Sequence, residues 1–270
     1  MQSNTNAIKQ ASNLYAFVMN NPIRWLDPWG LFAWNEADSH WFALRHEVEM
    51  AGGSVSWNAN TYTATASIFG VNVDFTRGSD GVRIRNNRMY VRADTFYSTV
   101  VGAAEEMLFL GGHGALFRRN THAYHAMLVM FVSPNSSYHG TSIFRYNVRW
   151  GNVHYATIGG YARNMGLGRL RGGINRPADI DLNNKRLMHH IRSEVGILDM
   201  VFASYLHFVR YNNDRVPYAF LPSTLRYEFN SNSFVSGLLL SMDFTIPNIR
   251  HGANLPGWER PVPIRYFRRF

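Results

Sequence analysis

The chain has no cysteine. That excludes a disulfide, a thiolate nucleophile and a Cys-ligated zinc, so a side-chain nucleophile here must be oxygen or nitrogen. It leaves the redox compartment open, because exported proteins without cysteine are common. Long apolar runs are missing too: no stretch approaches the roughly 18 residues of a membrane-spanning helix. The opening MQSNTNAIKQASNLYAF lacks the basic start and apolar run of a signal peptide, so export would depend on something outside these residues. Lysine is nearly absent, and beyond residue 106 every basic side chain except Lys185 is an arginine. Internal repeats and low-complexity tracts are also lacking.

What is present is enough apolar content, 46% of 270 residues, to bury a sizeable core in one or two globular domains. Charge divides the chain. Residues 1–106 carry 8 basic and 10 acidic side chains, a net of −2, and residues 107–270 carry 19 and 8, a net of +11. Guanidinium forks suit bidentate contact with the phosphates of lipid headgroups or of nucleic acid. A solvated basic surface fits the same count equally well.

Two prolines, an aspartate and a glycine punctuate NNPIRWLDPWGLF, residues 20–32, which makes a poor helix or central strand and marks a boundary. NLYAFVMNNPIRWLDPWGL resembles the end of the core of rearrangement hotspot (Rhs) repeat proteins, whose last motif, Pro-x4-Asp-Pro-x-Gly-Leu, is met by Pro22, Asp27, Pro28, Gly30 and Leu31. The resemblance implies that residues 1–31 end a delivery shell and that a variable toxin follows. It further implies the Rhs shell of the parent polypeptide and a cognate immunity protein as partners, with secretion or delivery into a target cell as part of a larger protein.

Residues 33–50, with mixed apolar spacing and early acidic residues, read as a short helix. From Gly52 to Val100 the period is two, with turns at 58–61, 78–81 and 86–87, which reads as a small β-meander. This segment is similar to the copper amine oxidase N-terminal-like modules of bacterial surface proteins in Trp57, Asn58, Thr61, Asn86, Tyr90, Val91, Arg92 and Phe96. The resemblance implies a spacer or docking module over 32–106 without copper chemistry. Residues 101–110 read as a second short helix leading into a Gly111–Gly114 linker, and 107–270 as the toxin domain.

Two stretches in that second half carry candidate chemistry. THAYHAMLVMFVSP places His122 and His125 ahead of an apolar run bounded by Pro134, the pattern of a buried strand. YEFNSNSFVSGLLLSMDF sets Asn230, Ser231, Asn232 and Ser233 before Phe234 and Val235, the pattern of a capped amphipathic helix. A serine hydroxyl becomes a nucleophile only beside a base that a third polar group holds, and a helix N-terminus supplies amides for an oxyanion. The pair of motifs resembles the circularly permuted NlpC-like papain fold, which includes lecithin:retinol acyltransferase relatives and phospholipid-acting cousins. The resemblance implies an α+β fold in which a small β-meander is followed by a papain-like domain. It also implies acyl hydrolysis or transfer with His125 as base and Ser231, or Ser233 in the same turn, as nucleophile, and no cofactor or metal. Ser231 stands where that family has cysteine, and three readings stay open: a native serine nucleophile, an engineered inactive mutant, or lost chemistry. His154, on its own strand, is the favoured third residue, with His139 the second choice.

Asp179, Asp181, Lys185, His189 and His190 in ADIDLNNKRLMHHI could hold a metal in a nuclease site, although Asp-x-Asp ahead of a helix is more often a cap. GLGRLRGG, residues 166–173, reads as a flexible arginine-bearing loop over the site. The tail from Leu255, with Trp258, Tyr266, Phe267 and Phe270 among arginines, could dock on an anionic phospholipid surface or pack on its own domain. Arginine excess favours a phospholipid ester as substrate. A nucleic-acid-targeting toxin and a non-catalytic binding module are the alternatives.

Overall fold

Alternating apolar residues between positions 54 and 92 form strands, as their period dictates. The computed structural model describes residues 34–36, 39–114, 124–147, 153–164, 167–180, 186–222, 227–248 and 255–268, so the Rhs-like motif at 22–31 lies outside the described residues. The first elements are β1 (Trp34–Glu36), β2 (Ser39–Ala43), α1 (Leu44–Met50), β3 (Ser54–Asn58), β4 (Thr63–Ile68), β5 (Val71–Thr76), β6 (Val82–Arg85), β7 (Arg88–Arg92) and α2 (Ala93–Ala104). They make a three-stranded sheet, β3-β4-β5, and a four-stranded one, β1-β2-β7-β6. The β6–β7 turn is the two-residue pair Asn86 and Asn87, both at positive φ (49° and 59°), as the tightest hairpins require.

The remaining strands are β8 (Glu106–Gly114), β9 (Tyr124–Val132), β10 (Arg145–Asn147), β11 (Val153–Asn164), β12 (Leu167–Ile174), β13 (Arg186–Ser193) and β14 (Pro217–Ala219). They form one antiparallel sheet in the order β13-β8-β9-β11-β12-β14, with β10 also on β11. Helices α3 (Pro177–Ile180), α4 (Ile197–Tyr211) and α5 (Ser231–Ser241) complete an α+β architecture that is mostly antiparallel sheet. Among the described residues no helix is long and apolar enough to cross a membrane.

The large sheet is covered on both faces. Ala126, Leu128 and Met130 of β9 face α4 and α5, while Met127, Val129 and Phe131 face the first half of the chain, packing with Phe42, Phe75, Phe96 and Val100. Two-sided burial is why 126–132 is continuously apolar. The same fact corrects the reading of 101–114. Met107 and Phe109 enter one core, Leu108 and Leu110 the other, so β8 replaces the linker and the second half of the expected helix, while residues 101–104 end α2, which begins at Ala93 inside the expected meander. An apolar run buried on both sides has no period to distinguish strand from helix. The sequence boundary at 106/107 is therefore crossed by a shared core.

Other expectations shift as well. Residues 34–43 form a hairpin before the helix at 44–50. Residues 167–174 are β12 rather than a loop, and Gly172 and Gly173 lie under bulky neighbours: a Cβ at Gly172 would sit 3.0 Å from the Phe234 ring. Helix α5 is buried nearly all round rather than amphipathic. The tail packs inward, with Phe267 fully buried and the Trp258 indole donating to the Pro247 carbonyl at 3.2 Å. A buried carboxylate joins sheet to helix: Glu106 accepts from the Ser136 hydroxyl (3.0 Å) and from the Gly196 and Leu198 amides (3.0 and 3.3 Å), capping α4 from β8.

Candidate active site at the N-terminus of helix α5

The turn Asn230–Ser233 is wired one residue at a time. Asn230 is the N-cap: its Oδ1 accepts from the Ser233 amide at 3.0 Å, and its Nδ2 donates to the Phe220 and Pro256 carbonyls. Ser233 is fully buried, its hydroxyl donating to the Gly257 carbonyl at 2.9 Å. Asn232 reaches into the sheet. Its Oδ1 accepts from the Ala126 amide (2.7 Å) and its Nδ2 donates to the Tyr124 carbonyl (3.0 Å) and the Pro256 carbonyl (3.0 Å).

That amide fills a vacated place in the ladder. Strands β9 and β11 pair from His154↔Val132 as far as Ile158↔Leu128, and the pairing then stops. Beyond that point the side chain of Asn232 bonds the exposed edge of β9 as a peptide of β11 would. The strands thus fork, and α5 seals the fork from one face. Ser231 is left at this opening. Its hydroxyl hydrogen-bonds the Tyr218 phenol, which burial pushes above its ordinary pKa while Ser231 and the nearby Arg176 pull it the other way.

On the other face of the fork lies a polar couple. His125 Nε2 is 3.4 Å from Asp179 Oδ1, and Arg176 is 3.4 Å from Asp179 Oδ2. Asp179 is buried, its side chain 1% exposed, whereas His125 and Arg176 are 16% and 25% exposed. Arg176 also donates to the Gly160 carbonyl (3.2 Å) and stacks 4.3 Å over the Tyr161 ring. Two consecutive glycines make the wall between couple and helix thin. A Cβ on Gly159 would lie 3.1 Å from Asp179 and 3.6 Å from His125 Nε2, while one on Gly160 would lie 3.2 Å from the Ser231 Cα. Ser231 and His125 therefore flank adjacent residues of β11 from opposite faces.

No protein-family model, curated protein or solved structure matches this chain. Its chemistry must be read from its own side chains.

Of the expected site residues, Ser231 and His125 come to the same fork. Ser233 is turned away from it, its buried hydroxyl donating to the Gly257 carbonyl. His154 cannot orient His125: it pairs with Val132, seven residues along β9, a separation of roughly 23 Å at strand rise. It lies instead against His139, with ring centroids 4.2 Å apart and the rings tilted, and burial, then His139, lowers its pKa. The residue beside His125 is Asp179, which the sequence offered as a cap or metal ligand. Proline at the first position of a one-turn helix with Asp in that turn looks like ordinary capping, and nothing in the spacing reveals a partner 54 residues upstream. Asp181 and Lys185 lie outside the described residues. His189 is on β13, separated from β9 by β8, and among the described residues no three His, Asp or Glu gather to hold a metal.

Proposed function

We propose that the second half of the chain is a serine-dependent acyl hydrolase or transferase acting on phospholipid esters, and that the chain is the cargo end of an Rhs-type toxin with an acidic immunity protein as its partner. One observation carries the chemistry. In the first turn of α5 the side chains of Asn230, Asn232 and Ser233 bond backbone groups, whereas the Ser231 hydroxyl bonds the Tyr218 phenol at a fork that also holds His125 beside the buried Asp179.

In this reading Ser231 Oγ bonds to the ester carbonyl carbon and its proton passes to His125. Nε2 faces Asp179, so Nδ1 is the base, and Asp179 stabilises the imidazolium that results. The Ser231 and Asn232 amides, first-turn donors that have no acceptor within the helix, receive the oxyanion. Collapse breaks the ester C–O bond, and the leaving alcohol takes the proton from His125. Water, or an acceptor alcohol, then removes the acyl group by the same steps in reverse. For the proton to pass, the hydroxyl and Nδ1 must come together past the thin Gly159–Gly160 wall that lies between them, and Arg176, already paired with Asp179, can turn its remaining donors to a headgroup phosphate. A nucleic-acid target draws on the same +11 charge, but its proposed ligand Asp179 is engaged by His125 and Arg176.

The test is mass spectrometry of a bacterial lipid extract incubated with the full chain in EDTA. Lysophospholipid or acyl-exchanged products should form, vanish in Ser231→Ala, and fall about a hundredfold or more in rate in Asp179→Asn. Lipids unchanged by the wild-type chain remove this reading, and cutting of DNA or RNA once metal is restored would replace it.

A further inference from the structure

Far from the fork in sequence, the first half of the chain forms a half-open cavity of about 520 Å³. It exists because the two small sheets do not pair with each other: β3 and β4 bound it on one side, the β6–β7 turn on another, and α1 closes it. Leu44 and Ala64, both almost fully buried, are at its floor, with Val55, Ile84 and Met89 around them. Ala64 is the cross-strand partner of Trp57, so a small residue sits opposite the indole and leaves room beneath it. Trp57 itself is 43% exposed at the rim, edge-on to Tyr62. An indole that stays wet above an apolar hollow is poorly used as core.

The charges at the rim are unequal. Arg45 is paired with Glu49 one helical turn away at 3.5 Å. Arg88, fixed at the start of β7 by the tight Asn86-Asn87 turn, is exposed and has no ion-pair partner among the described residues. His46 adds a second nitrogen donor. The volume falls in the range of small-ligand sites, which are apolar hollows with a few placed polar groups. We propose that this cavity binds an organic monoanion with a flat apolar body, the body lying on Trp57 over Ala64 and the carboxylate or sulfonate meeting Arg88. One unpaired guanidinium suits a single anionic head, whereas a nucleic-acid backbone needs a row of them.

The probe is 8-anilinonaphthalene-1-sulfonate, titrated by fluorescence into the full chain. Saturable binding at one site is expected, weakened about tenfold in Arg88→Met, which keeps the stem and removes the charge. Binding should disappear in Ala64→Leu, which fills the hollow, and affinity should fall as salt rises. Arg88 is exposed, so that variant stays folded even if the core change is not tolerated. Absence of binding, or a dissociation constant the same in Arg88→Met as in the wild type, overturns the assignment.

Discussion

At the scale of single residues, the two glycines of β11 separate stability from chemistry. A Cβ on Gly160 would meet the Phe234 Cβ at 2.5 Å, and Phe234 is itself held between Phe208 and Phe267, with centroids 5.0 and 5.4 Å away. Gly160→Ala must displace α5 from the sheet, a cost of about 1–3 kcal/mol for overpacking. A Cβ on Gly159 meets a carboxylate oxygen at 3.1 Å and an imidazole nitrogen at 3.6 Å, both of which can shift slightly. Gly159→Ala should therefore stay within about 1 kcal/mol of wild-type stability while pushing the His125–Asp179 couple out of line. Thermal melts beside lipid product rates should show large loss of stability in the first and mainly loss of turnover in the second. The serines should split the same way: Ser233→Ala costs about 1 kcal/mol and leaves products forming, and Ser231→Ala does the reverse. Equal effects of the two serines on turnover would make Ser231 an ordinary first-turn residue.

At the scale of elements, the side chain of Asn232 substitutes for a strand. Asn232→Leu keeps the volume but leaves the Ala126 amide and Tyr124 carbonyl unsatisfied, a loss of about 2 kcal/mol. Hydrogen exchange should then accelerate at Ala126, while Met127 and Leu128, deeper in the ladder, stay protected. The helix itself was legible beforehand, because Asn-Ser-Asn-Ser before an apolar run is a capping signal. The strand beginning at Tyr124 was legible from its apolar run and the proline after it, and the hairpin at Asn86-Asn87 from its turn residues. Residues 106–114 and 167–174 were not. The first is apolar on both faces, and the second carries Gly172 and Gly173 because Phe234, Tyr205 and Arg176 leave no room for side chains there, a cause that lies in other elements. The Asp179–His125 pairing was hidden for the same reason, since a partner brought in by tertiary packing leaves no trace in local spacing.

At the scale of the whole molecule, the two halves share a core, so residues 107–270 alone would present Met107, Phe109, Met127, Val129 and Phe131 to water. Expressed without residues 1–106, that half should aggregate or elute as large species in gel filtration, and a monodisperse fragment would show that its exposed face is tolerated. The fold also carries an acid-sensitive set of histidines. Burial holds His190 down from 6.5 to about 4, against the rings of Phe69 and Phe109, and burial lowers His189 and His154 as well. Each is neutral when folded and takes up a proton more readily when unfolded, so protons favour the unfolded chain as pH falls below about 6.5. For His190 that loss runs from about pH 6.5 to about pH 4 and ends there, where the folded ring also charges, amounting to at most about 3 kcal/mol. His190→Gln retains a hydrogen-bonding group for Ser193 Oγ, 2.7 Å from Nε2 in the native chain, and does not titrate. Urea midpoints measured from pH 7 to pH 4 should fall steeply for the wild type and more gently for His190→Gln. Parallel curves would mean that His190 is already solvated in the native state and that other carboxylates and histidines set the acid limit.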